Sequence, residues 1–224
     1  MRKHLLGLVL ALSAAGPAAL SAEVPPDAAS LLFEEPQLDN TKPGDVLTYA
    51  YSRKTADEPT YGPSFTDQVR LAIAPGSNAE TRTVAVDLFS GEHKRAAGPF
   101  EDMTGNPMLS LFLENHVNVL SGLLQVNPRY LKNAIRGGLR DHATVEPVTV
   151  SAGGQSLPGY RVHIAPFAAD PNKERMKGLD TLAYDFTVAR DLPGEIAEIR
   201  ITAPDAKGGA DLLDETVVFD APAR

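Results

Sequence analysis

From Val46 onward, apolar residues recur at every second position in short runs, and this period gives way to a helical one over residues 106–140. Leu47, Tyr49 and Tyr51 share one parity, as do Val69, Leu71 and Ile73, and Val84, Val86 and Leu88. The same alternation returns in Val148/Val150, Tyr160/Val162/Ile164, Tyr184/Phe186/Val188, Ile199/Ile201 and Val217/Phe219. A period of two buries one face of a strand and leaves the other wet. Gly153-Gly154, Pro158-Gly159 and Pro193-Gly194 supply turn chemistry between the runs. Links this short exclude crossover helices, so the strands pair mostly antiparallel.

Between the two sets, Asn106-Pro107 and Asn127-Pro128 each place a capping side chain ahead of a proline. At the first helical position the missing proline N–H costs nothing, so two helix starts are marked. Gly122 and Gly137-Gly138 offer stops. Leu109, Phe112, Leu113, Val117 and Leu120 follow the i, i+3, i+4 rule and form a broad apolar stripe. The expected fold is α+β, mainly β: a curved antiparallel sheet or half-barrel of about eight strands packed on a two-helix insert. The expected organisation is a signal peptide over residues 1–21, a Pro-rich and acidic arm over 22–44, and a single β-rich domain over 45–224 with the helical insert at 106–140.

Arg2 and Lys3, the apolar run Leu5 to Leu12 and the small residues that follow have the layout of a secretory signal. The run is too short to span a bilayer, which takes about 20 apolar residues. The reading is a periplasmic or secreted chain cleaved after Ser21 or Ala22, with no membrane span. Cleavage removes two cations and takes the formal charge from -8 to -10. An acidic balance argues against general nucleic-acid binding, which depends on Lys and Arg neutralising phosphates. The absence of cysteine excludes disulfides and a cysteine-lipidated start. About 200 mature residues bury roughly 70% of their unfolded surface, enough for one core without staples.

Enzyme signatures are absent: there is no nucleophile elbow, phosphate loop, dinucleotide fingerprint or His-Glu-x-x-His. The expectation is therefore no catalytic residue, no metal and no cofactor. Adjacent acids such as Asp214-Glu215 point to opposite faces of a strand and make poor acid–base pairs. His116 falls within the apolar stripe and should point inward. It is read either as a polar anchor in a ligand cavity or as a core histidine satisfied by a backbone carbonyl or a tyrosine hydroxyl. Arg129, Lys132, Arg136 and Arg140 form a basic stripe if the second helix runs through Gly137-Gly138. That stripe is read either as a contact for anionic lipid headgroups or an acidic partner, or as a solvated helix face. Residues 166–176 are read as a mouth loop or as a plain connector.

The signal segment, strand count and helical insert resemble the layout of periplasmic lipoprotein-carrier proteins of the Lol type, as a pattern over roughly residues 45–220. The resemblance implies a carrier with an apolar cargo and transfers no site residue. The long arm departs from that layout. The leading functional expectation is an apolar or lipid-like ligand, such as an acyl chain, held between sheet and helix. Its candidate contacts are Leu109, Phe112, Leu113, His116, Leu120, Tyr49 and Tyr184. The alternative is a non-enzymatic interaction module that binds an envelope protein through the basic helix or a sheet edge.

Overall fold

A computed structural model describes residues 25–220. The expected signal segment at residues 1–21 lies outside the described residues. The chain runs β1 (Val46–Thr55), α1 (Glu58–Tyr61), β2 (Phe65–Pro75), β3 (Arg82–Leu88), β4 (Arg95–Met103), α2 (Met108–Leu124), α3 (Pro128–Asp141), β5 (Thr144–Ala152), β6 (Gln155–Ile164), β7 (Ala183–Val188), β8 (Ile196–Ala203) and β9 (Leu213–Phe219). All nine strands form one open antiparallel sheet in the order β4-β3-β2-β1-β9-β8-β7-β6-β5. Two meanders, β1 to β4 and β5 to β9, are joined where β1 pairs with β9. Because β4 and β5 lie on opposite edges, the chain between them must cross the sheet. It crosses as α2 and α3, and the sheet curves over them.

The alternation marks eight of the nine strands. The ninth, β4, reads Arg95-Ala96-Ala97-Gly98-Pro99 at its start, and its register against β3 shifts twice. An edge strand needs no buried parity on both sides, and bulges and proline are common on such edges.

At α3 the cap forms as expected, with Asn127 at the N-cap and Pro128 first in the helix, whereas α2 starts one residue later than expected, at Met108, with Pro107 at the N-cap and Asn106 one position before it. Asn106 Oδ1 accepts from the Met108 amide at 3.0 Å, and Asn127 Oδ1 accepts from Arg129 at 2.8 Å. The two expected stops are not stops. α2 continues past Gly122 to Leu124 and ends on Gln125 in the left-handed region, at φ 55°. α3 continues through Gly137-Gly138 to Asp141. Gly138 is there for contact, since a Cβ would lie 3.3 Å from Pro166 Cβ and 3.4 Å from Ile164 Cδ1. The arm docks by one π-type helical turn, Ser30–Glu34, which buries Leu31 and Leu32 and leaves Phe33 exposed. Residues 166–176 form turns ending in a 3-10 segment at Lys173–Met176, with Phe167 and Met176 buried. Among the described residues, no helix is long and apolar enough to cross a membrane.

Candidate functional site

On the face that meets the helices, one lateral row of paired residues runs Phe65, Arg53, Glu215, Ile201, Tyr184, Ile164, across β2, β1, β9, β8, β7 and β6. Two members of this otherwise apolar and aromatic row are charged, and they stand side by side. Arg53 Nη1 donates to Glu215 Oε2 at 3.1 Å. Both side chains are nearly sealed, at 5% and 1% exposure. Two sealed charges cost several kcal/mol each to desolvate unless every lone pair and proton is met. Here they are met. The Tyr51 hydroxyl donates to Glu215 Oε1 at 2.6 Å, and Arg53 Nη2 donates to the Tyr61 carbonyl at 2.8 Å.

The helix supplies the third partner. His116 enters from α2, with Nδ1 2.8 Å from Glu215 Oε2 and Nε2 3.2 Å from the Tyr184 hydroxyl. Burial is the largest influence on Glu215 and acts to raise its pKa. The His116 ring, Arg53 and the Tyr51 hydroxyl together outweigh it and hold the carboxyl below its ordinary value. An ionised carboxylate only accepts, so Nδ1 is the donor and the ring's remaining nitrogen faces Tyr184. Burial, reinforced by the Glu215 charge, pushes both Tyr51 and Tyr184 far above the ordinary phenol value. The hydroxyls stay protonated, which suits Tyr51 as a donor. His116 is therefore a satisfied core residue that clamps α2 to the sheet, with a tyrosine hydroxyl as one partner. Its carboxylate partner is the residue that sequence reasoning missed.

The other expected contacts divide into two places. Leu109, Phe112, Leu120, Tyr49 and Tyr184 lie in the packed layer between sheet and helices, each exposed by 2% or less. The Tyr49 hydroxyl accepts from Asn106 Nδ2 at 3.1 Å. Leu113 sits apart from them, half-buried on the side of α2 that faces α3. There a groove of about 460 Å³ opens, floored by Ala29, Phe33, Leu113, Val117, Ile135 and Leu139. The arm forms part of one wall. Lys132, Arg136 and Arg140 line the same groove, whereas Arg129 does not. Lys132 pairs with Glu114 and Arg140 with Asp141, while Arg136 forms no ion pair among the described residues. The structure thus brings one member of the apolar set together with three of the four basic residues, and leaves the rest of the apolar set in the core.

Comparison with known proteins finds no matching family model and no matching curated protein.

Proposed function

We propose that the protein is an exported envelope protein that binds an anionic amphiphile, with the acyl or other apolar part in the α2–α3 groove and the charged head at Arg136. One observation carries this reading: an apolar floor and a rim of three cations, one of them paired to the single acid Glu114, occur in one open groove of about 460 Å³. Ligand sites are commonly about 300–1,000 Å³, mostly apolar, with a few placed polar groups. The N-terminal layout of residues 1–21 supports export. The layout likeness to Lol-type carriers points the same way, with the cargo outside the sheet–helix layer and not within it.

The test is titration of the mature chain with a fluorescent fatty acid. Saturable binding in the micromolar range is expected. Leu113→Asp should abolish it with the circular dichroism unchanged, because an unpaired carboxylate on an apolar floor is strongly disfavoured. The pair Lys132→Glu and Arg136→Glu should weaken anionic amphiphiles and spare neutral ones. If folded wild type binds no acyl ligand, the assignment passes to the interaction module. In that case the basic helix is the better surface, because the free edge strands β4 and β5 are broken by Pro99 and Pro147, which cannot donate to an added strand.

A further inference from the structure

A second cavity, of about 240 Å³, opens beside the row of paired residues, with Arg53 and Glu215 in its lining. Its walls are the rings of Tyr51, Phe65 and Phe89, whose centroids lie 4.7–5.6 Å apart in tilted and edge-on contacts, and His93, which stacks on Phe65 at 4.8 Å. Arg95 from β4 and Asn115 from α2 stand at its lining. The site is built at the edge of the sheet–helix layer and is independent of the α2–α3 groove.

Three features define what it would hold. The Glu215 carboxylate is already met by Tyr51, Arg53 and His116, so its charge is spent within the protein. Arg53 is its counter-charge and is held through both Nη atoms, by Glu215 and the Tyr61 carbonyl, while its Nε has no acceptor among the described residues. Arg95 adds a cation that forms no ion pair among the described residues, and the Asn115 amide likewise has no partner there. Aromatic walls with the Arg95 guanidinium and the Asn115 amide beside them complement a planar ring bearing a negative charge.

The geometry points to this cavity as a binding site for a small aryl carboxylate, its ring against Phe89 and the Phe65–His93 stack and its carboxylate toward Arg95. The volume, about half that of the α2–α3 groove, suits a single-ring compound. The site therefore has a ligand class different from that of the α2–α3 groove.

Cinnamate is the probe, with cinnamamide as its uncharged counterpart, titrated into the mature chain and followed by backbone amide NMR. Cinnamate should shift the Phe65, Phe89, Arg95 and Asn115 amides saturably in the millimolar range, and cinnamamide should bind about tenfold more weakly. Arg95 is exposed on an edge strand, so Arg95→Glu keeps the fold; it should lower cinnamate affinity by about tenfold and leave fatty-acid titration of the groove unchanged. Phe65→Ala should weaken both probes equally. The proposal is overturned if cinnamate shifts residues elsewhere and not these, if the amide binds as well as the acid, or if folded Arg95→Glu binds like wild type.

Discussion

Glu215 stands directly opposite Arg53 in the β9–β1 ladder, and its Oε2 receives both Arg53 Nη1 and His116 Nδ1, at 3.1 and 2.8 Å. One oxygen thereby ties the two meanders to each other and to the helix above them. Removing one member of a buried pair strands the other charge, at about 3–5 kcal/mol. Glu215→Ala should lower unfolding free energy by that amount in urea titration. His116→Ala should cost less, about 1–3 kcal/mol, because Arg53 and Tyr51 still hold the carboxylate.

The acid limb of stability should carry the Glu215 signature. Its folded pKa lies below the ordinary 4.5, so its stabilisation is fully present above 4.5. It starts to fade there and is gone once pH passes below the folded value. A plot of the wild type minus Glu215→Gln stability against pH should be flat at neutral pH and decline below 4.5. A difference that grows on acidification would contradict the assignment.

Glu195 should act in the opposite sense. Burial, then the nearby Glu35 charge, raises it to about 7; Arg190 opposes this and Asp39 adds to it. A raised carboxyl stabilises the fold fully below 4.5, and that contribution is lost as pH rises through about 7. Glu195→Gln should therefore raise Tm at pH values above 7 and leave it unchanged at acid pH. The group is half-exposed and screened by solvent, so a gain of about 2–4 °C is expected, equivalent to about 1 kcal/mol. Calorimetry across the range reads it directly.

The two asparagine caps should differ. Asn127→Ala loses one capping bond, at about 1 kcal/mol. Asn106→Ala also strips the Tyr49 hydroxyl of its partner in the core, and an unsatisfied buried group adds about 1–3 kcal/mol. Chemical denaturation of the two variants should rank them in that order.

The exported chain should begin at Ala22 or Glu23. N-terminal sequencing of protein from the envelope fraction checks this, and an intact Met1 in that position would refute it.

Most strands were legible because alternation is a direct imprint of half-burial, and both helix starts were legible because Asn-Pro has few other uses. The charged centre was not. Arg53 follows Tyr51 by two positions and Glu215 precedes Val217 by two, so each continues an apolar parity onto a charged side chain. That continuation was the available signal. Parity correctly separated Asp214 from Glu215, but only the pairing of β1 with β9 shows that the inward acid meets an inward arginine. The groove is half-legible: the basic stripe and Leu113 are read separately, and what unites them is the packing of α2 against α3, together with Phe33 of the arm.

The seam at the middle of the sheet sets an order on folding. Arg53 and Glu215 are 162 positions apart, so the central ladder joins strands from the two ends of the chain, whereas every other neighbouring pair of strands is a local hairpin or near-hairpin. Closing so long a loop carries an entropic cost that local pairs do not, and such contacts form slowly. A chain delivered N-terminus first can assemble β1 to β4 early, yet β1 keeps a bare edge and Arg53 lacks its counter-charge until residue 215 arrives. On the export proposed above this delay would be useful, since the polypeptide stays threadable until β9 arrives, and that strand both completes the sheet and neutralises its centre.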